Sequence, residues 1–202
     1  MTPAQWAQQR NRDRAGRYSA KQHGEAAVDL GAVRRRERIR VVQEWEQALD
    51  NDDVDRLLVE SLQDTIVRDV VMATASSDTE GLYERAFSGA AAAGLIPREY
   101  AAEVGREPST ADREWMAGIY VGEEVEPGER MRRLDAATAR RDELDAPAAS
   151  AAASVHGWTR WQLGDQAGAR ATLAAEVDEN PDNQLADLLL QVMDAHLRRE
   201  GY

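Results

Sequence analysis

The sequence predicts an all-α protein, an irregular bundle of mostly short helices. Apolar residues recur at spacings of three and four along most of the chain, and no segment alternates apolar and polar residues for long enough to form a strand. Aromatic residues make up 5% of the 202 residues and β-branched residues are sparse, so long buried strands are hard to build. Residues typical of helix ends separate the apolar segments.

The two ends of the chain differ in charge and pattern. Residues 1–31 lack helical periodicity and are predicted to be a basic flexible leader. Residues 32–202 are predicted to form a single acidic helical domain, with a helical bundle at 32–145 and further helices at 147–199. Residues 1–40 have a charge balance of +6 and the remainder a balance of −18, which sum to −12.

The first three helices are predicted from apolar faces and acidic caps. The first has one apolar face, formed by Val41, Val42, Trp45, Ala48 and Leu49. A short second helix is capped by Asn51, Asp52 and Asp53, and encloses Val54, Leu57, Leu58 and Leu62. Asp64 caps the third. Residues 67–73, VRDVVMA, are the best strand candidate, but their flanks favour a helix.

Helix-end signals divide the middle of the chain. Asp78 is predicted to open a fourth helix that Gly94 closes. Pro97 suits the first turn of a fifth helix, which Gly105 ends.

The remaining helices are predicted in the same way. Ser109 and Asp112 resemble a capping box, Pro127 opens an arginine-rich helix, and Pro147 begins an alanine-rich helix that ends at a Gly164–Asp165 turn. The next helix contains Ala169, Leu173 and Val177. The last has an apolar stripe, formed by Leu185, Leu188, Leu189, Val192, Met193 and Leu197.

Residues 156–191 resemble one tetratricopeptide repeat, with a helix, a Gly-Asp turn, a second helix, an Asn-Pro-Asp turn and a third helix. Gly157, Ala169, Leu173 and Pro181 fall at the spacing of the repeat. Since a solenoid needs about three units, the resemblance implies a single helical hairpin.

The same segment resembles the C-terminal end of an actinobacterial family, domain-of-unknown-function family 4192. The matching residues are Trp158, Trp161, Gly164, Asp165, Pro181, Leu185, Ala186, Leu188 and Leu189. Arg68 and Asp69 resemble an Arg-Asp stretch upstream in that family. The resemblance spans residues 60–197, is closest at 155–197, and implies a fold without an established chemistry.

The sequence argues against an enzyme, a metal site or a bound cofactor. There is no cysteine, and none of the three histidines (His23, His156 and His196) has a second ligand three or four residues away. His156 is interpreted as a packed or capping residue. The acidic run at 50–55 lacks the glycine and glutamate of a calcium-binding loop, and no phosphate-binding glycine motif is present.

Two clusters are candidate partner-binding sites. One is basic and consists of Arg34, Arg35, Arg36, Arg38 and Arg40. The other is the pair Trp158 and Trp161, for which core packing is the usual explanation.

We expect a cytoplasmic, non-catalytic helical module that binds another protein. A first alternative is an inhibitor of a host nucleic-acid enzyme, in which the acidic body mimics nucleic acid and occupies a basic groove. The leader stretch NRDRAGRYSAKQH, which resembles the starts of phage and mobile-element proteins, raises this alternative. A second is a DNA-binding regulator that uses the arginine cluster, although the acidic body disfavours direct nucleic-acid binding. The sequence leaves the partner and the oligomeric state open.

Overall fold

The structure is a computed structural model that describes residues 29–200. Within this range it contains α-helices and one short 3-10 helix but no strand, which confirms the predicted all-α fold class. Residues 1–28, most of the predicted leader, lie outside the described residues. From residue 34 onward, the described residues form one compact unit by their contacts. The predicted domain boundary after residue 31 stays a prediction.

Ten α-helices follow one another along the described chain. They are α1 (Leu30–Asn51), α2 (Arg56–Ser61), α3 (Thr65–Thr74), α4 (Leu82–Ala92), α5 (Glu99–Glu103), α6 (Thr110–Val121), α7 (Glu129–Thr138), α8 (Ala146–Gln162), α9 (Gln166–Glu179) and α10 (Gln184–Glu200). The 3-10 helix, Arg141–Glu143, connects α7 to α8.

The turn between α1 and α2 differs from the prediction. Asp55 caps α2, and its carboxylate accepts a 2.8 Å hydrogen bond from the backbone N–H of Leu58. The predicted caps stand too early, because Asn51 is the last residue of α1 and Asp52 has a left-handed φ of 57°. Asp52 and Asp53 therefore form the turn, a conformation that aspartate tolerates better than most residues.

The predicted interior of α2 is only partly correct. Leu57 is 72% exposed, whereas Leu62, which lies just beyond the last residue of α2, is completely buried. A helix of six residues presents few side chains to the core. The completely buried leucine therefore comes from the turn that follows α2, at Leu62.

Asp64 caps α3 as predicted. Its carboxylate accepts hydrogen bonds of 3.0 Å from the N–H of Ile66 and 3.4 Å from that of Val67. The strand candidate at 67–73 lies entirely within α3, so its flanks decided correctly in favour of a helix.

Asp78 does not open α4. That helix begins after Gly81, whose φ of 76° a glycine adopts without strain. The carboxylate of Asp78 instead accepts hydrogen bonds from the backbone N–H groups of Glu129 (2.8 Å) and Arg130 (2.9 Å). The residue is a cap as predicted, but it caps α7, which is far away in the sequence. These N–H groups hold the pKa of Asp78 below its usual value, outweighing partial burial, which raises it.

Arginines of α7 fasten the C-terminal end of α1. Arg130 is buried; its Nε and Nη2 donate to the carboxylate of Asp50 (2.5 and 2.8 Å), and its Nη1 donates to Glu46 (3.1 Å) and to the Thr79 carbonyl (2.8 Å). Arg133 donates to the main-chain carbonyl of Asp50 at 2.6 Å. A cation therefore compensates the carbonyl end of α1, which attracts positive charge.

Asp112 fulfils half of the predicted capping box. Ser109 Oγ accepts the N–H of Asp112 at 3.0 Å. The carboxylate of Asp112 binds Arg106 (2.9 and 3.2 Å) and the hydroxyl of Ser88 (2.8 Å). Burial alone would raise the pKa of Asp112, but hydrogen bonds from Arg106, Ser88 and Ser109 outweigh burial and lower it to about 2.

The last three helices pack side by side, α8 on α9 and α9 on α10. Helices α8 and α9 approach closely at Gly157, where an added Cβ would lie 2.5 Å from Cγ of Leu173. The stripe of α10 is buried at Leu185, Leu189 and Met193, but Leu188 is 49% exposed, contrary to the prediction. The tetratricopeptide-like interpretation of this hairpin stays a prediction.

Candidate binding groove

The predicted arginine cluster does not form one surface. Arg35 lies 3.4 Å from Glu103 of α5, and Arg38 donates to Asp64 at 2.7 Å and to the hydroxyl of Tyr100 at 2.8 Å. Both arginines therefore attach α1 to neighbouring segments.

The other three arginines of the cluster are exposed. Arg40 pairs within α1 with Glu37, at 2.6 Å, and with Glu44. Arg34 and Arg36 have no ion-pair partner among residues 29–200. The cluster thus divides between holding the fold together and forming a solvated helix surface.

The two tryptophans lie in the core. Trp158 is completely buried, and its indole N–H donates to the Ile119 carbonyl at 3.3 Å. Trp161 is 8% exposed and packs edge-on against His196, with ring centres 6.0 Å apart. Neither ring offers a surface to a partner, so packing explains both residues.

His156 is a packed residue, as interpreted from the sequence. Its Nδ1 lies 3.0 Å from Oδ1 of Asp135, which also accepts a 2.7 Å hydrogen bond from the hydroxyl of Thr159. Burial raises the pKa of Asp135, but these two partners outweigh it and lower the pKa overall.

An open groove lies where the starts of α3 and α8 meet the turn between α9 and α10. Its volume is about 580 Å³, within the range typical of ligand sites. We call it the end groove. Its lining residues come from three distant stretches of sequence: Gln63, Thr65, Arg68, Ala146, Pro147, Ser150, Ala151, Asn180, Asp182, Asn183, Gln184 and Leu185.

A buried carboxylate fixes one wall of the end groove. Glu176 is 1% exposed, and its Oε1 accepts hydrogen bonds from the side-chain amides of Asn180 (3.1 Å) and Asn183 (2.9 Å) and from the hydroxyl of Ser150. Arg141 lies 3.9 Å from Oε2. We call Glu176, Ser150, Asn180 and Asn183 the Glu176 cluster.

Asn183 connects the cluster to the rest of the wall. Its amide nitrogen also lies within hydrogen-bonding distance of the hydroxyls of Ser150 (2.9 Å) and Ser154 (2.8 Å), which share its two hydrogens with Glu176. Its carbonyl oxygen accepts the N–H of Ala186 at 3.1 Å. Both polar atoms of Asn183 are therefore occupied, and the turn before α10 is held against α8.

Arg68 also lines the end groove and is itself held in place. Its Nε and Nη2 lie 3.0 and 2.9 Å from Oδ1 of Asp69. A hydrogen bond from the hydroxyl of Tyr120 also reaches Asp69. Burial raises the pKa of Asp69, and Arg68 and Tyr120 only partly offset that effect. Burial likewise raises the pKa of Tyr120.

The arrangement is suited to binding. The hydroxyl of Ser150 donates to a carboxylate and accepts from an amide, so it is not poised as a nucleophile. Within the described residues, no group of three or more His, Asp or Glu side chains could hold a metal ion. The lining of the groove instead combines hydrogen-bonding side chains with apolar ones.

Sequence reasoning missed the groove as a site. Arg68 was noted only within a strand candidate and a family resemblance, and Leu185 only within an apolar stripe and the same resemblance. The Asn-Pro-Asp-Asn turn was the available signal, since two asparagines beside a helix end commonly hydrogen-bond locally. No pattern among neighbouring residues in the sequence indicates that this turn and the start of α3 line the same groove.

No helix within residues 29–200 has both the length and the apolar character needed to cross a membrane. Comparison with known proteins found no matching curated protein and no matching solved structure. The loose resemblance predicted for residues 60–107 therefore stays a prediction. Residues 108–200, which contain two of the three stretches that line the end groove, match the model of the family described as Domain of unknown function (DUF4192), and this half of the chain confirms the predicted resemblance.

Proposed function

We propose that the protein is a non-catalytic helical interaction module that binds an extended segment of another protein in the end groove. The observation that carries the proposal is a rigid, open groove with unused hydrogen-bonding side chains at its rim. Gln63 and Gln184 line it and are exposed, and their side-chain amides have no hydrogen-bond partner among the described residues.

The apolar part of the groove lining suits a narrow ligand. It consists of Ala146, Pro147, Ala151 and Leu185, and three of these residues are small. Small side chains allow a second main chain to approach closely, so an extended segment fits better than a helix with its larger diameter.

The Glu176 cluster supports the proposal through rigidity. Because its members are bonded to one another, the wall that they form does not need to become ordered when a partner binds. Preorganisation of this kind lowers the entropic cost of association.

The two alternatives are less well supported. A DNA-binding regulator would need the arginine cluster free for phosphates, yet Arg35 and Arg38 hold the fold together and Arg40 pairs with glutamates. An acidic nucleic-acid mimic agrees with the charge of −12 but uses no particular feature of the groove. It is kept as an outcome of the experiment.

The experiment places a photo-crosslinking amino acid at Gln184, in the groove, or at Glu114, an exposed position of α6 that does not line it. We expect position 184 alone to crosslink one partner in a host lysate. The crosslinked segment, made as a synthetic peptide, should then bind the wild-type chain at least tenfold more tightly than Gln184→Trp, which fills the groove. Glu114→Trp is the matched control.

Two results would contradict this proposal. Equal crosslinking from both positions, or peptide binding unaffected by Gln184→Trp, would mean that the groove is not the binding surface. Recovery of a basic nucleic-acid enzyme whose capture is lost at high salt, irrespective of the crosslinker position, would favour mimicry.

A further inference from the structure

We infer that the end groove recognises the main chain of a neutral extended segment, with Arg68 donating to one of its carbonyl groups. This inference rests on the proposed function and adds the chemical class of the ligand. Its basis is the set of donors and acceptors at the groove that have no partner among the described residues, together with the charge of the groups around them.

Arg68 has a donor to spare, and its orientation is fixed. Two of its nitrogens bind Asp69, which Tyr120 restrains in turn, and its Nη1 has no partner among the described residues. The side chain is 15% exposed and lines the groove. A guanidinium held through one edge presents its remaining N–H groups in a defined direction.

The charge around Arg68 disfavours an anion as the group that it binds. Arg68 and Arg141 contribute two positive charges, while Asp69, Asp182 and Glu176 contribute three negative charges, a sum of −1. A carboxylate entering the groove would meet this negative balance. A main-chain carbonyl accepts a hydrogen bond from Arg68 without adding a charge.

The glutamines at the rim fit the same ligand. The side-chain amides of Gln63 and Gln184 each combine donors with an acceptor, which matches the alternating N–H and C=O groups of an extended chain. The carboxylate of Asp182, which has no partner among residues 29–200, can accept a further main-chain N–H. Recognition of this kind tolerates varied sequences but requires an unblocked backbone.

The test selects peptides from a random display library on the full chain, with Gln184→Trp as counter-selection. We expect selected peptides without a shared charged residue. Their affinity should change less than threefold between 50 and 500 mM NaCl. Replacing peptide bonds by esters, one at a time, should weaken binding at least fivefold at one or more positions, because esters lose a donor and have weaker acceptors.

Arg68→Lys supplies an independent check, since it keeps the positive charge but loses the planar guanidinium and its N–H groups in fixed directions. We expect it to bind the peptides at least threefold more weakly and to remove most of the ester effect at one position. Because the variant exchanges Arg for Lys beside half-buried Asp69, its unfolding curve is recorded as well. The ester series on the wild-type chain tests the inference even if this variant is unstable.

The outcomes separate the inference from the proposed function. A shared Asp or Glu, or a required free carboxyl terminus, would overturn the inference in favour of an anion on Arg68. Shared Lys or Arg with salt-sensitive binding would overturn it in favour of Asp182. If Gln184→Trp retains every peptide that the wild-type chain binds, the groove is not a peptide site and the proposed function fails too.

Discussion

Two polar clusters in this protein, each built around a buried charged side chain, hold that charge in different ways. The Arg130 cluster, formed by Arg130, Glu46 and Asp50, pairs one cation with two carboxylates between α1 and α7. The Glu176 cluster surrounds one buried carboxylate mainly with neutral amides and a hydroxyl. Arg130 is surrounded by protein, whereas three members of the Glu176 cluster line the end groove.

The two clusters therefore have different roles. The Arg130 cluster attaches α1 to α7, whereas the Glu176 cluster forms part of the wall of the end groove. Ion pairs buried within a fold are costly to desolvate. Removing one partner leaves the other charge buried and unpaired, which strongly destabilises the fold. Neutral donors can hold a carboxylate without bringing a second full charge to the groove. The first arrangement therefore favours a fixed helix register, and the second leaves the groove open to a neutral ligand.

The largest expected effect is that of Arg130→Met. The substitution leaves Glu46 buried without its cation and breaks the bonds to Asp50, so we expect a loss of about 3 to 5 kcal/mol in the free energy of unfolding. Urea unfolding followed by circular dichroism measures the loss. Arg132→Met is the matched control on the same helix, because Arg132 is exposed, and it should change stability by no more than about 0.5 kcal/mol. Equal effects of the two variants would show that burial of Arg130 is unimportant.

Glu176→Ala should be the next most destabilising change. It leaves the amides of Asn180 and Asn183 and the hydroxyl of Ser150 without their acceptor, which costs about 2 to 3 kcal/mol. Glu176→Gln keeps an acceptor oxygen and should lose about 1 kcal/mol by the same measurement. If Gln were as harmful as Ala, the negative charge rather than the hydrogen bonds would hold the wall.

The loss of stability expected at Asp112 lies between those expected at Glu176 and Asp78, and it depends on pH. Its pKa in the folded chain is about 2, below the ordinary value of 3.8, so the stabilisation is present above pH 4 and is lost as the pH falls towards 2. We expect Asp112→Asn to be about 2 kcal/mol less stable than the wild-type chain at pH 7. The two should become similar near pH 2. Unfolding free energies measured from pH 7 to pH 2 that stay parallel would contradict this interpretation.

Asp78→Ala should have the smallest effect of the four, a loss of about 1 kcal/mol, as is typical for a helix cap. Asp78→Asn should retain most of the stability because it also accepts the N–H groups of α7. Asp78 caps the turn that carries Arg130, so the combined loss in the double variant Asp78→Ala, Arg130→Met should differ from the sum of the single losses. Exact additivity would indicate that the cap does not position Arg130.

Local patterns predicted most helices and their cores well. The apolar face of α1, the Asp64 cap and the proline at the start of α8 lie where the sequence placed them. Errors occurred where a signal had more than one possible partner. Asp78 was assigned to the nearest helix, but it caps α7. Leu57 was assigned to the core, but it lies on the exposed side of the six-residue helix α2.

The candidate site was less predictable than the fold. Of the two predicted partner-binding clusters, the tryptophans are buried and the arginines are divided between the fold and the solvent. Ion pairs such as Arg38–Asp64 bridge residues far apart in the chain, and composition cannot show which charges will meet. The family match at residues 108–200 includes two of the three segments that line the groove, 146–151 and 180–185. It does not show that these segments lie around one groove.

By itself, the sequence determined the helical class, most helix ends and the resemblance of the C-terminal half, because these depend on spacings within a few residues. Only the tertiary structure decided that Asp78 caps α7, that Arg130 finds Glu46, and that Arg68 faces the turn after α9. Those pairings are set by how helices of given length and side-chain volume pack around one core. A groove made from three distant segments is therefore visible only once the chain is folded.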